Sequence, residues 1–406
     1  MIANFAALSR RASIASLALA IGCGDGGSAG SAANMPSPPD TSEHAYEADD
    51  PSIQYTGRVD FSNPKRPRFA SAGTYITVKF NGVAAALLIE DENRYGSERN
   101  FYDVSIDGNA PFKLRADKAS TQYELVRDLP YGEHEVRVVK RTEANIGYSD
   151  LLGFKFMGTI AEPPARPSHR IVVIGDSITC GAGDEAGNNS TQCSENGMGE
   201  AGGWGQPYHN ANAAYGPVMA RALDAEYHLT SVSGIGLVRN YSMMYDARPM
   251  PEVYDLTFLE LTTSPSWDHQ QFSPDVIVIA LGTNDFSPGD NPPDDPRPSM
   301  DVAMYTEAYI AFVEKLRGYH PDAHIFGISS PMLSDGWPAS TDTFATDLKT
   351  SLDGVVSHFE AAGDDKVHEF FVTKVSGAGC GTHPDVAQHA AMAAEVGEYV
   401  RSVMGW

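Results

Sequence analysis

The run Ile171-Val172-Val173-Ile174 joins four apolar, β-branched residues, the pattern of a strand covered on both faces. Such a strand needs helices above and below it, which points to a parallel α/β sheet. The chain from Arg170 onward agrees. Further buried strands read at 227–232, 276–281, 324–329 and 367–372, and helices at 213–223, 302–317, 343–362 and 386–404. Five strands alternating with helices predict a three-layer domain over 169–406, with the strand order 2-1-3-4-5 common among doubly wound sheets.

In an open parallel sheet, ligands bind beyond the carboxyl ends of the strands, so each strand exit is a place to look for chemistry. Gly175 and Asp176 turn the first exit and present Ser177, a hydroxyl on rigid backbone. The second exit runs Ser231-Val232-Ser233-Gly234-Ile235-Gly236, the third Gly282-Thr283-Asn284-Asp285, and past the fifth comes Thr382-His383-Pro384-Asp385. A nucleophile, a bare N–H, an amide donor and a base are the parts of acyl transfer. Ser177 is the expected nucleophile and His383 the base that takes its proton and returns it to the leaving alcohol. The N–H groups of Ser177 and Gly236 and the amide of Asn284 are the expected oxyanion donors. Each motif also has a plain reading, as a turn, a helix cap or a helix boundary. His383, Asp385 and His389 read alternatively as metal ligands, but a proline separates the first two and no paired cysteine spacing is present. No metal and no cofactor are expected.

Upstream, alternating runs around Ile76, Val104, Leu125 and Val136, broken by turn pairs such as Asp107-Gly108, predict a small antiparallel β-sandwich over 53–162. Its expected role is support and one wall of the site. Pro163, Pro164 and Pro167 mark the boundary between the domains. Residues 24–52 are rich in Gly, Ser, Pro and acidic residues and read as a disordered tether. Ahead of them, Arg10 and Arg11, a short apolar run and Gly22-Cys23 read as an export segment over 1–23, with Cys23 as a candidate lipid anchor and ordinary cleavage as the alternative. An exported chain permits disulfides. Cys180, Cys193 and Cys380 then allow one bridge whose members sequence does not assign. A net charge of −24 argues against nucleic acid as a partner and suits a neutral substrate. Membrane contact is expected only through Cys23, and a monomer is expected.

Taken together, Gly175-Asp176-Ser177-Ile178-Thr179, the loop to Gly236, Gly282-Thr283-Asn284-Asp285 and Thr382-His383-Pro384 resemble the four blocks of the SGNH (GDSL-type) hydrolases. With the sandwich ahead of them, and with Lys140-Arg141-Thr142-Glu143 and Ser233-Gly234-Ile235-Gly236, they resemble carbohydrate esterase family 2. The resemblance implies a jelly-roll domain before the hydrolase domain and a serine esterase that removes acetyl groups from sugar hydroxyls of plant polysaccharides, without a cofactor. The wider pattern has an aspartate three residues before the histidine; here that position is Cys380. Family members can work as a Ser–His dyad whose imidazole a backbone carbonyl orients, and this is expected here, with Cys380 in a bridge or a packed wall. Thr382 stands where an aromatic is common, so sugar contact is expected elsewhere, with Trp204, Trp267 and Trp337 as candidates. A generic lipase or thioesterase on the same scaffold and a non-catalytic carbohydrate-binding surface protein are the alternatives.

Overall fold

In the parallel sheet, the strand His169–Gly175 lies between Ala225–Ser231 and Val276–Ala280. The computed structural model describes residues 39–242, 248–259, 263–291 and 297–406. The expected export segment, Cys23 and the tether as far as residue 38 lie outside the described residues. Beyond the central three strands come His324–Ile328 and Val367–Phe370, giving the expected order 2-1-3-4-5. Alternation along the strands separates two cores. Val172, Ile174, Ile277 and Ile279 pack on Tyr305, Phe312, Leu348 and Leu352 of the helices Val302–Tyr319 and Phe344–Ala361. Ile171, Val173, Val276 and Val278 pack on Tyr215, Met219, Met392 and Val396 of the helices Tyr215–Ala222 and Val386–Met404. Among the described residues no helix is long and apolar enough to cross a membrane.

The register of these strands positions the site. Gly175 pairs with Ser231 on one side and Ala280 on the other. The first three strands therefore end on one rung. Ser177, Ser233-Gly234 and Thr283-Asn284 all leave the sheet within four residues of it.

The N-terminal domain is antiparallel and centres on the seventeen-residue strand Tyr75–Asp91. Its first half pairs with Gly132–Lys140 and its second half with Gln122–Val126. Most of its length also pairs with Ser149–Ile160. Val78, Phe80, Leu87, Val104, Val136, Leu151 and Phe154 share one core. The expected tether needs correction at its end: Glu43–Glu47 is an ordered edge strand on Ser149–Ile160. Its composition reads as solvated, yet His44 and Tyr46 alternate with three exposed residues, and Tyr46 packs on Phe156 with ring centroids 5.7 Å apart. Opposite it, Gly153 has φ 134°, and a Cβ there would lie 1.9 Å from the carbonyl oxygen of Tyr46. Only glycine lets this edge strand close.

Two buried arginines of the antiparallel domain reach into the hydrolase domain. Arg58 donates to the carbonyl oxygens of Tyr254 (2.5 Å) and Leu256 (2.6 Å), and its guanidinium lies over the rings of Tyr254 and Trp267. Trp267 is therefore a packing residue. Arg141 donates to Asp103 (2.6 Å) and to the carbonyl of His209 (3.1 Å) and pairs with Glu185. Removing one partner of a buried pair strands the other charge. Arg141→Ala should lower unfolding stability by about 3 to 5 kcal/mol, measured by denaturant titration. A loss under about 1 kcal/mol contradicts a structural role for the pair.

Candidate active site

Ser177 opens the one-turn helix Ser177–Cys180, capped by the side chain of Asp176, which accepts from the N–H of Ile178 at 3.0 Å. The serine is nearly buried. Its N–H is the first of the helix, where no intrahelical acceptor exists, and it has no partner among the described residues. Burial pushes the Asp176 carboxyl up to about 7.

His383 closes the short helical turn Cys380–Thr382. Its Nε2 lies 2.7 Å from Ser177 Oγ, and its Nδ1 lies 2.7 Å from the carbonyl oxygen of Cys380. A carbonyl only accepts, so Nδ1 carries the proton and Nε2 is left to accept from the serine hydroxyl. Burial holds the imidazole below its ordinary range, and the hydrogen bond to Cys380 pulls the other way. Cys380 itself is bridged to Cys193, 187 residues away, and Cys180 is left as a buried thiol. The bridge ties the histidine turn to the long loop after the first strand, which also carries Trp204. That indole is 46% exposed, stacks on His209, and stands edge-on to His383 with centroids 5.7 Å apart. Trp337 is exposed on a separate loop.

One of the expected donors is occupied. The N–H of Gly236 is taken by Asn240 Oδ1 at 3.0 Å and the residue is buried, so Gly236 offers nothing to a ligand. The cause is Asp285, whose carboxylate accepts from the N–H groups of Leu237 (2.9 Å), Val238 (2.7 Å) and Arg239 (3.0 Å) and folds that stretch inward. Two residues earlier, Gly234 (φ 79°) is half-exposed, and its N–H has no partner among the described residues. Asn284 Nδ2 donates to the carbonyl of Ile235 at 2.8 Å and lies 3.4 Å from Asp176 Oδ2. The amide is thereby held against the Ile235-Gly236 peptide and beside the cap of the serine helix.

The antiparallel domain supplies the back of this loop. Glu143, buried, accepts from the N–H of Ser233 (2.7 Å) and from its hydroxyl (2.6 Å). Lys140, fully buried and pushed down to about 7 by desolvation, donates to the carbonyls of Thr142 (2.7 Å) and Glu143 (3.2 Å). Sequence reading found the Lys140–Glu143 run but not its task; two adjacent charges at the end of a strand otherwise read as a solvated edge. As for metal ligation, Asp385 caps the last helix, His389 Nδ1 accepts from the N–H of Tyr215, and no three such side chains are grouped among the described residues.

Two family models match the chain: the N-terminal domain of carbohydrate esterase 2 over residues 55–164, and the GDSL-like lipase/acylhydrolase family over 173–391. A cellulase/esterase from Acetivibrio thermocellus is 32% identical over 89% of the chain, which spans only 40% of that relative. An acetylxylan esterase/glucomannan deacetylase from Cellvibrio japonicus is 29% identical over 90% of the chain and 93% of its own length. Among solved structures, a family two carbohydrate esterase from Clostridium thermocellum in complex with cellohexaose is 30% identical with a TM-score of 0.74, covering 87% of this chain and 99% of that one. A second, from Cellvibrio japonicus, is 28% identical with a TM-score of 0.76, covering 90% and 99%. The chain belongs to the GDSL-like hydrolases and, within them, to carbohydrate esterase family 2.

Proposed function

We propose that this chain is a serine esterase that removes O-acetyl groups from plant polysaccharides of the xylan and glucomannan class, using Ser177 and His383 as a dyad. The observation that carries the reading is the relay from Ser177 Oγ to His383 Nε2 and from Nδ1 to the Cys380 carbonyl, both at 2.7 Å. The names of the Cellvibrio relatives support the substrate class, and the exposed face of Trp204 beside the imidazole offers a surface for a sugar ring.

In this reading Ser177 Oγ attacks the acetyl carbonyl while His383 Nε2 takes its proton. The oxyanion is met by the N–H groups of Ser177 and Gly234 and by the amide of Asn284, in place of the expected Gly236. Collapse expels the sugar oxygen, which takes the proton from the imidazolium. Water, deprotonated by the same nitrogen, then attacks the acetyl-enzyme and releases acetate and Ser177. The Cys380 carbonyl keeps Nδ1–H in place through both half-reactions. We also infer export, with Cys23 as an anchor. The Cys193–Cys380 bridge supports an oxidising compartment. The intact dyad weighs against a purely binding role.

Three outcomes test this. Ser177→Ala should abolish acetate release from acetylated xylan, acetylated glucomannan and sugar acetates, with thermal unfolding unchanged; residual activity within tenfold of the parent contradicts the nucleophile. Asn284→Ala should lower kcat by about 10²- to 10³-fold with KM nearly constant, because its bond strengthens only as charge develops; a rise confined to KM contradicts the assignment. The base must be neutral to act, and burial lowers its pKa. The acid limb of kcat/KM should therefore have its midpoint below the ordinary imidazole value of about 6.5, and a midpoint above that value contradicts His383 as the base.

A further inference from the structure

We infer that Glu143, contributed by the antiparallel domain, is a positioning residue for the oxyanion donors, acting through Ser233. The inference rests on the esterase reading above and goes beyond the groups that touch the reacting atoms.

Three observations meet at this point. Glu143 accepts two hydrogen bonds from one residue, the N–H and the hydroxyl of Ser233, at 2.7 and 2.6 Å. Ser233 directly precedes Gly234, whose N–H is unpartnered among the described residues and whose surroundings are open, the Cβ of Tyr241 at 3.8 Å being the nearest atom to a Cβ placed there. One residue further on, the Ile235-Gly236 peptide is held by Asn284 through the carbonyl of Ile235. The donor loop is therefore clamped by a carboxylate from one domain and an amide from the other. Between the two clamps lies the unpartnered N–H of the half-exposed Gly234.

The clamp is built to be rigid. Glu143 is buried, as are Lys140 and Arg141 of the same run. Lys140 holds the carbonyl of Glu143 itself. Beyond the glycine the loop is tied by the N–H of Tyr241 on the Gly234 carbonyl (2.7 Å) and by Asp285; Glu143 fixes the residue before it, and glycine is the residue with most backbone freedom. A donor displaced by about 1 Å from a developing charge loses rate on the order of 10²-fold. A carboxylate accepting two bonds from the preceding residue suppresses that displacement. Glutamine at 143 can keep both bonds, its oxygen accepting from the Ser233 N–H and its amide donating to the Ser233 hydroxyl; alanine can keep neither.

The test compares Glu143→Ala, Glu143→Gln, Ser233→Ala and the double variant Glu143→Ala/Ser233→Ala, all in the full chain. Acetate release is measured on one sugar acetate, with the parent protein and Ser177→Ala as references. Glu143→Ala should lower kcat at least tenfold with KM within about twofold. Glu143→Gln should restore kcat to within a few-fold of the parent. Ser233→Ala, which keeps the N–H bond, should cost about threefold, and the double variant should be no worse than Glu143→Ala alone. Unchanged kcat in Glu143→Ala, a change confined to KM, or additive losses in the double variant overturn the inference. If Glu143→Ala does not fold, Ser233→Ala decides, and a kcat equal to that of the parent overturns it. An inactive parent protein defeats the esterase reading instead, so the two failures are distinguishable.

Discussion

A neutral main-chain carbonyl holds the imidazole of His383 where a carboxylate would be the stronger partner. Hydrogen bonds to ionised acceptors are roughly twice as strong as neutral ones, so the Cys380 carbonyl stabilises the imidazolium less and leaves its orientation more dependent on the surrounding backbone. The structure meets that need mechanically. Cys380 donates its N–H to the carbonyl of Gly183 at 3.1 Å, and its carbonyl accepts from both Nδ1 and the main-chain N–H of His383. Its side chain is bridged to Cys193. Bonds at its N–H, its carbonyl and its side chain thus hold one residue, and the loop bearing Trp204 is fixed to the same point.

The second dependence is on the partner domain. Hydrolase strands bring Ser177, Gly234 and Asn284 to one rung, but the loop after the second strand is completed from outside. Glu143 secures Ser233, and Arg141 secures the carbonyl of His209, two side chains from one short run at the end of one antiparallel strand. Asp285, immediately after the amide donor, gathers three successive N–H groups of the same loop. Buried charges of this kind cost desolvation. Their presence around a single turn of chain fits a requirement for fixed geometry more than for stability.

What the sequence made legible follows from the range of the interactions involved. The five parallel strands were visible because burial on both faces leaves runs such as Val276 to Ala280 almost wholly apolar. The exits, and with them Ser177, Asn284 and His383, followed from strand position. The strand Ser149–Ile160 was not legible, since Gly153 and Gly158 sit at shifts in its register and break the alternation. Nor was the choice between two glycines in Ser233-Gly234-Ile235-Gly236. Both look alike locally, and which N–H is left free depends on Asn240 and on Asp285, some fifty residues away. The cysteine pairing joins positions far apart in the chain and carries no local signal. Trp267, by sequence a candidate for sugar contact, packs instead against Arg58 of the other domain, a contact with no local signal.

In the proposed reaction one hydroxyl, one imidazole and a small set of donors act on a single tetrahedral centre. The most direct measurement is the crystal structure of the covalent adduct with a serine-reactive phosphonate, whose phosphonyl oxygen stands in for the oxyanion. One adduct per chain is expected, on Ser177, with that oxygen about 2.7 to 3.1 Å from the nitrogens of Ser177, Gly234 and Asn284, and with His383 Nδ1 still on the Cys380 carbonyl. An adduct on another residue, or an oxygen turned away from those donors, would contradict that reaction.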